Sequence, residues 1–184
     1  MNSRPNATFG FTLLELMVVM VVCGVLASLA VPSFTSLIKA TRLRSATDSL
    51  FKALQLARSE SITRNNRTIV CKSSTGKSCS FQGGWEQGWI VFVDANNNGL
   101  FDSNEPLVLQ QSPLSADIRL SGNGSIANYV SFNSLGRTVS TSGAFQAGTL
   151  TACANSKGQT ESRKIVISSV GRSRLESGTV DHCV

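Results

Sequence analysis

Near the C-terminus, Gly171-Arg172-Ser173-Arg174 sets two guanidiniums two residues apart, the spacing that puts both on one face of a strand. Each guanidinium offers a fork of N–H donors matched to phosphate, so two in step grip successive phosphates without reading a base. Lys157, Arg163 and Lys164 lie close by in the sequence, opposed only by Glu161 until Glu176. A hairpin of Arg163–Ser169 and Arg172–Glu176, with Gly171 in its link, would present this cluster to a row of phosphates. The competing reading is a surface turn whose arginines are solvated or paired with Glu161, Glu176 and Asp181.

A second constellation runs from Asp94 to Glu105. Oxygen-bearing side chains stand at Asp94, Asn96, Asn98 and Asp102, with Gly99 between them and Glu105 closing the loop, the pattern of a calcium-binding loop. Such loops need helices on both sides to aim their ligands, whereas the flanks Trp89–Val93 and Leu107–Leu109 read as strands. The alternative is a polar hairpin loop closed by Asx turns. No other cofactor is expected. Between Glu86 and Asp117, the acids Glu86, Asp94, Asp102, Glu105 and Asp117 occur without Lys or Arg, inside a chain of net charge +6. An acidic middle and a basic end favour one localised site for a polyanion over diffuse attraction.

The third feature is a lone carboxylate, Glu15, inside an apolar run from Phe11 to Val31. At about 1.5 Å per residue the run is long enough to cross a hydrocarbon layer of about 30 Å, where a carboxylate costs roughly 2.5–3.5 kcal/mol and calls for a partner. A secretory signal peptide is disfavoured, because its cleavage site follows the apolar core and here the small residue Gly10 precedes it. A cut between Gly10 and Phe11 would free an amine one helical turn from Glu15.

Cysteine usage fits an exported chain. Cys23 lies in the apolar run, and Cys71, Cys79, Cys153 and Cys183 form an even set after it. Three pairings are open; Cys71–Cys79 with Cys153–Cys183 is favoured, since each pair brackets a hairpin or a C-terminal return. A zinc site is disfavoured, because neither spacing is Cys-x-x-Cys and His182 has no second ligand pair. With one histidine in the chain, no base stands ready for a Ser or Cys nucleophile, so an enzyme is not expected.

Few elements are needed to position these groups. One helix is expected from about Thr12 to Arg64, bent rather than ended at Pro32, with Leu43, Ala46, Leu50, Ala53, Leu54 and Ala57 as its apolar stripe. Its other face carries Lys39, Arg42, Arg44, Lys52, Arg58 and Arg64 against Asp48 and Glu60, a solvated face near anionic head groups. Thr68–Lys72, Gly88–Val93, Leu107–Gln111, Ile118–Ser121, Tyr129–Asn133, Thr149–Ala152 and Arg163–Ser169 read as strands. The fold class is α+β, a long N-terminal helix packed on antiparallel sheets. The chain divides into a leader (residues 1–10), a transmembrane helix (11–32) and a soluble domain (33–184), the last comprising an amphipathic helix (33–64) and a β region (65–184).

Gly10-Phe11-Thr12-Leu13-Leu14-Glu15 resembles the processing site of type IV prepilins and type II secretion pseudopilins. The resemblance implies that a prepilin peptidase cuts after Gly10 and methylates Phe11, and that Glu15 pairs with the N-terminus of a neighbouring subunit. Phe132-Asn133-Ser134-Leu135-Gly136-Arg137 and Gly171-Arg172-Ser173-Arg174 are similar to the branch of minor pilins that holds FimT and GspH. In FimT the Gly-Arg-x-Arg motif is tied to DNA binding in natural transformation. The resemblance therefore implies an inner-membrane, single-pass minor pilin with a periplasmic domain, drawn into a pilus with major and minor pilins and binding DNA non-specifically. Its alternatives are a structural subunit that primes or caps the pilus, and a pseudopilin of type II secretion.

Overall fold

Leu43, Ala46, Leu50, Ala53, Leu54 and Ala57 fall three or four residues apart, and all are buried. They belong to α1, Leu13–Thr63, which passes Pro32 without ending. The computed structural model describes residue 10, residues 12–155 and residues 158–183, with the backbone alone for residues 29–33. The start of α1 is fixed by reciprocal bonds. The Thr12 N–H donates to Glu15 Oε2 at 3.3 Å, and the Glu15 N–H donates to Thr12 Oγ1 at 3.3 Å. A Thr and a Glu three residues on thereby satisfy two amides that a first helical turn leaves orphaned. At the other end Asn65 turns to a φ of 49°, and the Asn66 N–H reaches back to the Ser61 carbonyl at 3.1 Å. That left-handed closure stops the helix.

Two compact units divide the chain, Met1–Lys39 and Ala40–Val184. In the first, the described apolar side chains of α1, among them Leu14, Met17, Val18 and Val21, are exposed. Among the described residues no helix is long and apolar enough to cross a membrane. The span expected over residues 11–32 includes Phe11 and the side chains of residues 29–32, which lie outside the described set.

In the second unit the expected strands all form, with some ends displaced. They are β1 Arg67–Lys72, β2 Trp89–Asp94, β3 Leu107–Gln111, β4 Ile118–Gly122, β5 Tyr129–Phe132, β6 Gly148–Ala154, β7 Thr160–Ile167 and β8 Ser173–Val180. One sheet has the order β3-β2-β1-β5 and the other β4-β6-β7-β8, each pairing antiparallel. The α1 stripe, Val70, Trp89, Val91, Val130 and Phe132 of the first sheet, and Ile118, Leu120, Leu150, Ile165 and Ile167 of the second form one core. Ile69, Cys71, Ile90 and Phe92 turn the other way and are covered by Cys79, Phe101 and Tyr129. β1 and β2 are thus buried on both faces, which is why they read as unbroken apolar runs.

The polar face of α1 is less free than the sequence implied. The Arg42 guanidinium bonds Asp117 at 3.2 Å, Arg44 faces Asp48 at 3.7 Å, and Arg64 pairs with Glu60. A hydrogen bond with Ser115, assisted by Arg42, holds the Asp117 carboxyl below the usual carboxylate range. Arg58 departs furthest from the solvated face expected of it: it is half-buried, and its Nε is buried without a partner.

Leu54 is fully buried where helix and sheets meet. Leu54→Ala is expected to lower stability by about 2–5 kcal/mol in urea unfolding, while exposed Leu100→Ala changes it by less than about 0.5 kcal/mol.

Candidate nucleic-acid interface

β7 and β8 form the expected hairpin, and its link is tighter than two bare strands would make it. The Gly171 N–H donates to the Ser168 carbonyl at 2.8 Å, and the Ser168 N–H donates to the Arg172 carbonyl at 3.0 Å. Gly171 has a φ of 79°, so the link is a three-residue loop whose last residue is left-handed. Arg172 lies in this turn, not on the strand, since β8 begins at Ser173. The backbone register nevertheless continues to Arg172 through its carbonyl, so alternation sets it on the face of Arg174.

Register also corrects the expected cluster. Lys164 pairs with Glu176 and Val166 with Arg174, so Lys164, Arg174 and Glu176 share one face. Arg163, between Ala152 and Ser177, lies on the other face with Ile165 and Ile167, and its Nε is buried without a partner. Adjacent residues of a strand point opposite ways, so Arg163 and Lys164 do not act together. Lys157 lies outside the described residues. Arg174 Nε donates to Glu176 Oε1 at 2.7 Å, both side chains being exposed. Arg172 is exposed and has no acidic partner among the described residues.

What holds the turn in place was not legible from its own residues. A Cβ built on Gly171 would sit 1.9 Å from the Gly136 carbonyl oxygen and 3.4 Å from Arg137 Cα. The partner turn has the same bonding: Gly136 N–H to the Asn133 carbonyl at 2.8 Å, Asn133 N–H to the Arg137 carbonyl at 3.0 Å, and Gly136 at a φ of 68°. Asn133 Oδ1 accepts from the N–H groups of Leu135 and Arg137, which stiffens the loop. The one proton of Thr138 Oγ1 is shared between two carbonyls, Gln146 at 2.7 Å and Ser168 at 2.9 Å, and the second of these links the two hairpins. Arg58 reaches the same spot from α1, with Nη2 3.5 Å from the Val170 carbonyl. Arg58 and Arg137 were absent from the expected site. The signal that could have found Arg137 is a near-repeat, Asn133-Ser134-Leu135-Gly136-Arg137 beside Ser168-Ser169-Val170-Gly171-Arg172.

The Asp94–Glu105 loop is closed by its own hydrogen bonds. The fully buried Asp94 carboxylate accepts from the N–H groups of Asn98 and Gly99, each at 3.0 Å, and Arg67 Nε stands 3.9 Å away. Glu105 accepts from the Ala95 and Asp102 N–H groups, and Asp102 from the side-chain amides of Asn96 and Asn98. Burial raises the Asp94 carboxyl above its ordinary value, the Gly99 N–H opposing this and Glu105 adding to it. Among the described residues no three His, Cys, Asp or Glu are grouped so as to hold a metal. The expected acidic surface is also muted, because Glu86 bonds Arg119 and Asp117 bonds Arg42.

Cys71 joins Cys79 and Cys153 joins Cys183, with Cα separations of 5.6 and 5.7 Å. The second bond ties the chain end beyond β8 back to β6. At the N-terminus Gly10 and Glu15 are exposed, Glu15 capping its own helix, and Phe11 lies outside the described residues.

Residues 46–171 match the family described as Type II transport protein GspH. The chain belongs to the GspH family. Residues 6–31 match the prokaryotic N-terminal methylation motif, which encloses Gly10, Phe11 and Glu15. It is thus a minor pilin or pseudopilin of the GspH and FimT type, and members of the family are structural subunits, not enzymes. Crystal structures of the type IV minor pilin FimU of Pseudomonas aeruginosa strain PAO1 share the fold. One has 21% identity and a TM-score of 0.56, over 79% of this chain and 98% of that one. The other, in a second crystal form, has 20% identity and a TM-score of 0.54, over 77% and 99%. The minor pseudopilin EpsH of the Vibrio cholerae Type 2 Secretion System is more distant, with 14% identity, a TM-score of 0.49 and coverage of 74% and 97%. Among curated proteins no relative matches. The GspH match stops at Gly171, so Arg172 and Arg174 stand beyond the part shared with the family model.

Both Gly171 and Gly143 have positive φ, but a Cβ on Gly143 meets nothing within 4 Å. Gly143→Ala should therefore show the backbone strain alone, about 1–2 kcal/mol in thermal unfolding. Gly171→Ala, which adds a clash with the Gly136 carbonyl, should cost clearly more and speed amide exchange in both turns.

Proposed function

We propose that this GspH-family subunit is a FimT-like minor pilin of a type IV pilus that binds extracellular double-stranded DNA for uptake in natural transformation. The supporting observation is Arg172: an exposed guanidinium without an acidic partner among the described residues, on a turn locked by the Gly136–Gly171 contact. Arg174 and Lys164 extend the cationic face, and Glu176 is the one acid on it among the described residues, exposed and displaceable by a phosphate.

In this reading a prepilin peptidase cuts after Gly10 and methylates the Phe11 amine. Glu15 then exchanges the Thr12 amide for the amine of a neighbouring subunit, as the chain leaves the inner membrane to join major and minor pilins. Capture rests on phosphate contacts, so it is insensitive to sequence and falls steeply with salt. Several pilins along one DNA molecule add avidity. A second reading, service in type II secretion, is favoured by the family that the chain matches, Type II transport protein GspH.

The full chain in a neutral detergent should bind a short labelled duplex with a Kd of roughly 10⁻⁴–10⁻⁶ M at physiological salt, and more tightly as salt is lowered. Arg172→Ala combined with Arg174→Ala should abolish binding while leaving the unfolding temperature unchanged. A parent chain that binds no duplex at low salt would end the DNA reading and leave the secretion or purely structural one.

A further inference from the structure

The two hairpin loops are near copies in sequence and in bonding, and they meet glycine to glycine. Each places an arginine directly after its left-handed glycine, Arg137 in one and Arg172 in the other, and both arginines are exposed. We propose that Arg137 is a second phosphate-contacting residue, and that the twin turns act as one two-pronged clamp on the backbone of duplex DNA. The inference rests on the DNA reading above and extends it to a residue outside the Gly-Arg-x-Arg motif.

Three observations carry it. First, the turns cannot drift apart or slide, because the Gly171 backbone lies against the Gly136 carbonyl with no room for a side chain between them. Arg137 and Arg172 are therefore held at a fixed spacing, and two prongs at fixed spacing lose less freedom on binding than two on independent loops. Second, the Arg137 guanidinium lies over the Phe145 ring, 5.1 Å from its centroid, and that ring is itself 64% exposed. An exposed aromatic platform keeps the long side chain extended, leaving its N–H edge free for an anion. Third, charge around the contact is unbalanced. Arg58, Arg137 and Arg172 come to it from α1 and the two turns, and none makes an ion pair among the described residues. A cationic concentration without its own acids attracts polyanions. Arg58, half-buried and bonded to the Val170 carbonyl, serves as a positioning residue for the turn that carries Arg172.

The test is a salt series of duplex binding by the full chain in neutral detergent, with Arg137→Gln, Arg137→Lys, Phe145→Leu and the Arg172→Ala, Arg174→Ala double variant. Arg137→Gln should weaken binding about tenfold at low salt and reduce the slope of log Kd against log salt by about one unit. Arg137→Lys should keep the slope, and Phe145→Leu should keep the slope while weakening binding by a few-fold. Unfolding temperatures should match the parent, since both side chains are exposed. If the double variant loses binding while Arg137→Gln keeps the parent's slope and affinity, the clamp is wrong and the Arg172 assignment stands. If the parent chain itself fails to bind duplex, the underlying DNA reading fails, and the clamp with it.

Discussion

One backbone contact governs what this domain displays: the Gly171 main chain against the Gly136 carbonyl, where an added Cβ would stand 1.9 Å from oxygen. Both residues are left-handed, and both close a three-residue loop with the same pair of hydrogen bonds. Only glycine satisfies the conformation and the approach together, so at this point the two hairpins meet backbone to backbone. The second sheet contributes one loop and the chain following β5 contributes the other, joined by the Thr138 hydroxyl. Arg137 and Arg172 inherit their positions from that junction.

The remainder of the domain makes the junction rigid and strips competing charge from around it. A single core holds the helical stripe against both sheets, so the strands leading into the loops have little freedom to shift. Much of the formal charge is consumed internally. Asp94 is buried among backbone amides, Glu86 and Asp117 hold Arg119 and Arg42, and Arg64 and Arg44 meet acids along α1. The net charge of +6 therefore says less about partners than the few guanidiniums left without acids among the described residues. The same economy marks the N-terminus. Glu15 caps its own helix by trading bonds with Thr12, an arrangement that satisfies the carboxylate until another donor replaces it.

Period and composition made the elements legible. The apolar stripe of α1 repeats at helical spacing, and the strands are short β-branched or aromatic runs bounded by Gly, Asn and Ser, so helix and strands were readable in place. The favoured cysteine pairing likewise needed only the bracketing of local returns. Faces were harder. Arg163 and Lys164 are neighbours in the sequence and look like one cluster, yet pleating sends them to opposite sides of β7. Arg58 looked solvated because helical periodicity knows nothing of the Val170 loop that covers it. The loop from Asp94 to Glu105 has the letters of a cation site, and those letters do not tell which of its own amides its carboxylates accept from. The Gly136–Gly171 contact is tertiary, and no local rule foretells it.

The most direct test of the account is to map duplex binding onto the backbone. With isotopically labelled chain and a short duplex titrated in, the amides of Gly136, Arg137, Gly171 and Arg172 should shift together and saturate at one common concentration. Shifts concentrated on Lys39, Arg44 and Lys52 of α1, with both turns silent, would contradict it.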